Sequence, residues 1–257
     1  MSGRFGRVAF VASPTPEAAD AAELLKAAYP HVPPHEADVV VALGGDGLML
    51  STLHEFLGTG KPIYGMNKGT VGFLMNDFEP GGLMERLDAA QRSVAHPLLM
   101  EAVDTSGREH RAYAINEVHM LRQTHQTAKL TIEVDGKVRL AELISDGVLL
   151  ATPAGSTAYN LSVGGPILPL DASLLALTPI SAFRPRRWRG ALLPDRARIA
   201  ISVNDPERRP VSAVADHFEF RRISRVTASM DHSIDLVMLH DPGHGLDERI
   251  LREQFGV

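Results

Sequence analysis

A carboxylate set among glycines is the first group in this chain that could do chemistry. Asp46 lies in Gly44-Gly45-Asp46-Gly47, directly after the apolar run 39–43. That run is short and β-branched, so it reads as a parallel strand buried on both faces. A carboxylate at the carboxyl end of such a strand sits where open α/β sheets bind ligands. There it points into a crevice beside the N-terminus of the next helix. The alternative is an N-cap for the helix that follows. A cap needs one acceptor and no flanking glycines. Three glycines within four residues point instead to a large, phosphorylated ligand approaching the backbone closely.

Two further stretches carry polar groups in suggestive patterns. Asn116-Glu117 interrupts the apolar run 113–121. Neighbouring residues on a strand face opposite ways, so both reach one ligand only at a strand end or a bulge; a polar bulge pair is the structural alternative. The block 145–166 ends a strand in a loop rich in small and hydroxyl residues, with one tyrosine, Tyr159. Such a loop offers backbone N–H groups, hydroxyls and a flat ring to a nucleobase or sugar.

The elements that must position these groups follow from periodicity. Residues 7–12 read as a strand. Thr15 and Pro16 then start a helix that runs to about Tyr29. An amphipathic helix after Asp46 stops at Gly58, and a strand at 61–67 leads into a second glycine turn, 67–74, with Gly69 and Gly72. A short helix spans 81–90. This alternation predicts a parallel sheet with helices on its faces. From His96-Pro97 the texture becomes short alternating strands, with the hairpin 129–134, Asp135-Gly136, 137–143 as its clearest signal. Further strands are expected at 98–103, 197–203, 210–215, 218–223 and 225–230. The tail reverts to a strand at 234–239 and helical spacing at Leu246, Ile250, Leu251 and Phe255. The expectation is an α/β domain of residues 1–96 plus 231–257 and a β-sandwich domain of residues 97–230, with the tail returning to the first.

Composition narrows the partners. The chain has 257 residues, a net charge of −5 and no cysteine. No basic field draws it to nucleic acid or an anionic membrane. Thiol catalysis and zinc–thiolate sites are excluded, and a reducing cytoplasm is compatible. The amino-terminal stretch lacks the apolar core of a signal peptide, and no apolar run is long enough to span a bilayer. The cluster Arg184-Pro185-Arg186-Arg187-Trp188-Arg189 reads as a charged loop with room for a local anion contact. His232, His240 and His244 form no metal-ligand pattern, and His54-Glu55 lacks the second histidine of a zinc-protease helix. Gly58-Thr59-Gly60-Lys61 is followed by proline, so it is no Walker A loop, and no Gly-x-Gly-x-x-Gly fingerprint is present.

Taken in order, Gly44-Gly45-Asp46-Gly47, the 67–74 segment, Asn116-Glu117 and the 146–166 block resemble the NAD kinases along the whole chain. The glycine turn alone is shared with diacylglycerol, sphingosine and phosphofructokinase-type kinases. The block Thr152-Pro153-Ala154-Gly155-Ser156-Thr157-Ala158-Tyr159 together with Asn116-Glu117 is specific. Ala154 departs from the threonine or serine of many members. The resemblance implies phosphoryl transfer from ATP, with Mg²⁺ or another divalent metal, to the 2′-hydroxyl of the adenosine ribose of NAD. It implies Asp46 as base and Gly47 beside it on the substrate. Asn116, Ala154, Thr157, Ala158 and Tyr159 would surround the adenine and its ribose, with Asn160, Leu161 and Ser162 on the same side. Glu117 and Asp146 would take the nicotinamide end. Gly44, Gly45, Gly69 and Gly72 would shape the phosphate turn, and Asp216-His217 would lie near a substrate phosphate. A homodimer or homotetramer is the expected assembly. A lipid kinase and a non-catalytic NAD(P) sensor are the competing readings; the 152–159 block argues against the first and Asp46 against the second.

Overall fold

The computed structural model describes residues 4–69, 72–243, 245, 249 and 255. The chain divides into two compact units, Met1–Ala95 with Ile234–Val257, and His96–Ser233.

The first unit is built on five strands: β1 (Val8–Ala12), β2 (Val39–Gly44), β3 (Ile63–Asn67), β4 (Gln91–Ala95) and β17 (Leu236–His240). They form one sheet in the order β1-β2-β3-β17-β4. The first four in that order run parallel, and β4 pairs antiparallel with β17. β2 is buried at every position because it is an interior strand with both faces covered, and this is why its sequence is an unbroken apolar run. Helix α1 (Pro16–Ala28) starts as expected: the Thr15 hydroxyl accepts from the Ala18 N–H, and Pro16 occupies the first turn. Helices α2 (Asp46–Glu55) and α3 (Leu83–Ala89) complete the unit. The returning tail strand is present as β17. Of the helical spacing expected after it, Leu246, Ile250 and Leu251 lie outside the described residues.

The second unit is an antiparallel sandwich of two six-stranded sheets. One holds β7 (Glu117–Arg122), β10 (Gly147–Ala151), β11 (Leu174–Ile180), β12 (Ala191–Pro194), β14 (Val211–Ala215) and β15 (Phe218–Phe220), in the order β12-β11-β10-β7-β14-β15. The other holds β5 (Leu98–Asp104), β6 (Glu109–Ala114), β8 (Ala128–Val134), β9 (Lys137–Ser145), β13 (Ile199–Val203) and β16 (Ile223–Met230), in the order β6-β5-β16-β13-β8-β9. Asp135 (φ 53°) and Gly136 (φ 74°) make the tight turn of the β8–β9 hairpin, as a two-residue loop with both central residues left-handed requires. Val118, Met120, Val148 and Leu150 join Leu130, Ile132, Ile199 and Val226 in the core. Leu149 and Ala151 face the other way and are covered by Leu168, Tyr159 and Val163. β10 is therefore apolar throughout instead of alternating.

Three strands have no counterpart in the sequence reading: β4, β11 and β12. β4 is polar and lies at a sheet edge, β12 has four residues, and β11 carries Pro179. The run 113–121 is not one strand either. It crosses from β6 in one sheet to β7 in the other, and Ile115-Asn116 is the crossover. No described helix is long and apolar enough to cross a membrane.

Candidate functional site

In the first unit, α2 begins at Asp46, with Gly45 as its N-cap. Asp46 is therefore the first helical residue and not the cap. Its carboxylate instead reaches the second glycine turn: Phe73 N–H donates to Oδ2 at 2.7 Å and Leu74 N–H to Oδ1 at 2.8 Å. Gly72 is forced by this closure, since a Cβ there would stand 2.9 Å from Asp46 Oδ1 and 2.7 Å from Met75 Cγ. Gly45 and Gly47 serve differently. Neither is left-handed, and a Cβ on either would meet nothing within 4 Å. The backbone beside Asp46 is bare, and a ligand can approach it. Gly69 N–H is turned inward to Asn67 Oδ1. Thr70 and Val71 of the 67–74 turn lie outside the described residues.

Asn76, just past that turn, was missed by the sequence reading. It is fully buried. Its amide donates to the carbonyls of Gly65 and Leu239, and its Oδ1 accepts from Asp241 N–H. It fixes the ends of β3 and β17, and so the return path of the turn that holds Asp46. A polar residue after an apolar run was its only trace.

In the second unit the crossover at Asn116 is clamped from two sides. Asp216, in a left-handed turn between β14 and β15 (φ 50°), accepts N–H donors from Ile115 at 2.7 Å, Asn116 at 3.0 Å and Glu117 at 3.3 Å. From the other side Thr152 N–H donates to the Asn116 carbonyl, and the Thr152 hydroxyl donates to that of Ile115. Gly155 packs directly on the Asn116 backbone, and a Cβ there would overlap its carbonyl. The backbone of Asn116 is thus fixed, while its side chain has no hydrogen-bond partner within the described residues.

Glu117 opens β7 and is 7% exposed. Its Oε2 is buried without a hydrogen-bond partner. Burial, reinforced by the Asp216 charge, pushes its carboxyl up to about 7. A buried carboxyl lacking a partner is costly unless a ligand supplies one. His119 lies two residues on, on the same face of β7. Its ring meets that of Tyr159 edge-on, with centroids 5.2 Å apart, and burial pulls its pKa down. His119 too was missed; alternation from Glu117 along the strand was the available signal.

The 152–166 block holds itself together. Ala154–Thr157 is a 3-10 turn and Tyr159–Ser162 a single helical turn, α4. The Ser156 hydroxyl donates to Pro153 O and accepts from Leu168 N–H. Asn160 is fully buried: its amide donates to Ser156 O and Pro166 O, and its Oδ1 accepts from Thr178. Asn160 therefore positions the loop. Thr157, Ala158, Tyr159 and Leu161 are half-buried, Ser162 is exposed, and Ala154 is buried. The Tyr159 hydroxyl is pushed up by burial and by the charges of Glu117 and Asp146. Asp146 Oδ1 accepts from Arg122 Nε at 2.6 Å. Asp146, Arg122, Tyr159 and Ile180 line an open cavity of about 520 Å³. His217 stacks on Phe218 at 4.1 Å, beside the Asp216 clamp.

A carboxylate offered at the end of a parallel sheet, with bare glycine backbone around it, fits a kinase whose acceptor is a hydroxyl. The particular family follows from comparison. The model of the ATP-NAD kinase N-terminal domain matches residues 6–92, and that of the ATP-NAD kinase C-terminal domain matches residues 115–224. An NAD kinase of Caulobacter vibrioides is 60% identical over 249 residues, covering 97% of this chain and 96% of that protein. One of Hyphomonas neptunium is 61% identical, covering 97% and 98%. A crystal structure of yeast NADH kinase with NADH superposes with a TM-score of 0.84 at 22% identity, covering 97% of this chain and 87% of that one. The chain belongs to the NAD kinase family.

Proposed function

We propose that Asp46 is the base in the reaction of this enzyme, the transfer of the γ-phosphoryl group of ATP to the 2′-hydroxyl of the adenosine ribose of NAD, giving NADP. One observation carries the assignment: the carboxylate of Asp46 is oriented by the N–H groups of Phe73 and Leu74. A carboxylate has about four acceptor positions, so two stay open to a ribose hydroxyl. As that oxygen bonds to the γ-phosphorus, its proton passes to Asp46 and ADP departs. A loose transition state asks mainly for a positioned nucleophile and neutralised phosphate oxygens.

The adenine and its ribose fall to Asn116, Ala154, Thr157, Ala158, Tyr159 and Ser162, and the nicotinamide end to Glu117 and Asp146. In support, the Asn116 amide is uncommitted and the buried Glu117 Oε2 lacks a partner. Asp216 acts on the substrate through the crossover backbone it holds, and Asn160 through the loop. Among the described residues no three histidine or carboxylate side chains converge to hold a metal. Mg²⁺ is assigned to ATP as part of the substrate. A homodimer or homotetramer in the cytoplasm is the assembly proposed from the family likeness.

The test is product formation. Purified protein with NAD, ATP and Mg²⁺ should yield a dinucleotide that an NADP-specific dehydrogenase reduces. Folded protein that binds NAD yet forms no such product would favour the sensor reading.

A further inference from the structure

Arg249 belongs to the tail that returns to the first unit. It is half-buried and helical, and its N–H donates to Gly245 O at 3.3 Å. Its guanidinium reaches the second glycine turn, where Nη1 donates to Gly72 O at 3.2 Å and to Phe73 O at 2.8 Å. Gly72 O belongs to the peptide group that carries the Phe73 N–H, and Phe73 O to the one that carries the Leu74 N–H. Those are the two N–H groups that donate to Asp46, at 2.7 and 2.8 Å. Each of the two peptide planes therefore accepts from a guanidinium on one side and donates to a carboxylate on the other.

A cation at a peptide oxygen draws charge through the resonant C–N bond and makes the N–H a stronger donor. Hydrogen bonds with an ionised partner are also the stronger kind. A turn that contains Gly69 and Gly72 has little stiffness of its own, so its peptide planes need an outside group to fix them. The neighbouring His240 is buried, and burial together with the Arg249 charge pulls it down to about 4. It adds no second positive charge near neutral pH. A staple for the tail could use any carbonyl of the unit. Here both bonds fall on the peptide groups that hold Asp46.

We propose that Arg249 is a positioning residue of the reaction: its guanidinium orients and polarises the two peptide groups that aim the Asp46 carboxylate. This rests on the reading of Asp46 as base. The test is a double-mutant cycle in the full-length protein. NADP formation at saturating NAD and ATP is measured for wild type, Arg249→Ala, Asp46→Asn and the double variant, with NAD binding followed by calorimetry. Arg249→Ala should lower kcat about tenfold or more and change NAD affinity far less. In the Asp46→Asn background the same substitution should cost almost nothing, because the base it serves is gone. Arg249→Lys, which keeps a cation with several donors, should recover much of the rate. Arg249→Gln, which keeps donors without the charge, should not, and this pair decides the matter if the alanine variant does not fold. Equal losses from Arg249→Ala in both backgrounds would make the arginine a staple of the tail and overturn the proposal. So would glutamine equal to lysine. Asp46→Asn as fast as wild type would remove the base and this proposal with it, whereas a slow Asp46→Asn beside a fast Arg249→Ala would overturn the positioning role alone.

Discussion

Asp216 Oδ1 receives the backbone N–H of Asn116 at 3.0 Å, although the two residues lie a hundred positions apart in the chain. The same carboxylate holds Ile115 and Glu117, so one side chain from the β14–β15 turn sets the path of the sheet-to-sheet crossover. Asn116 and Glu117 can therefore present different faces to one ligand without any bulge.

Removing that clamp should reduce both stability and NAD affinity. Asp216→Ala forfeits three charge-assisted hydrogen bonds and also places alanine in a left-handed turn; a loss of about 3 kcal/mol is expected by denaturant titration. Asp216→Asn tolerates the left-handed backbone and keeps one acceptor, so it should lose less. In both, KM for NAD should rise more than kcat falls. A KM unchanged in the alanine variant would mean that the crossover does not position the substrate.

Gly155→Ala probes the same crossover from the opposite side. Its Cβ would overlap the Asn116 carbonyl, and backbone must move to admit it. Overpacking of this kind costs about 1–3 kcal/mol. Melting temperature and NAD titration should both show the loss, whereas Gly45→Ala, whose Cβ meets nothing within 4 Å, should melt like the wild type and still bind NAD poorly if a ligand occupies that space.

Glu117 should write itself into the pH dependence of stability. Its carboxyl titrates near 4.5 when the chain is unfolded and is pushed up to about 7 in the fold by burial and by Asp216. Below pH 4.5 both states are protonated and the group has no effect. Between pH 4.5 and 7 the unfolded chain gives up this proton while the fold retains it, so stability falls across that window and levels off above 7. Each tenfold difference in proton affinity between the two states is worth roughly 1.4 kcal/mol. Glu117→Gln should thus melt higher than the wild type at pH 8, with the gap closing toward pH 4.5. A gap that does not vary with pH would refute the assignment.

His119 holds Tyr159 by an edge-on ring contact. Burial pulls its pKa down and so favours the neutral imidazole. His119→Phe preserves a ring and removes a buried Nδ1 that lacks a partner, so stability should be kept or gained and NAD binding retained. His119→Ala should leave Tyr159 loose and raise KM for NAD several-fold with kcat little changed. Equal kinetics for the two variants would show that the tyrosine needs no such support.

How much of this was legible in the sequence depended on where each signal resided. β2 and the β8–β9 hairpin were plain because local pattern alone determines them: an apolar run into glycines, and Asp135-Gly136 between alternating strands. β11 was hidden by Pro179, and β12 by its shortness at an edge. The candidate site residues stand out as motifs, yet what each of them touches does not. Nothing local to Asn160 says that its amide is committed to Ser156, Pro166 and Thr178. Nothing near Asp216 says that it holds residues a hundred positions away. Asn76 and His119 act through tertiary contacts, which spacing along the chain does not encode.

The central claim is that Asp46 accepts the proton of the ribose hydroxyl. The most direct measurement is the rate of NADP formation by wild type and Asp46→Asn under saturating NAD and ATP, with NAD binding to both measured by calorimetry. The amide keeps one acceptor for the Phe73 and Leu74 amides but is a poor base. General-base catalysis is worth about 10²–10⁴-fold, so kcat should fall by that order while NAD still binds. Equal rates in the two proteins would contradict the claim and leave Asp46 as a clamp on the glycine turn.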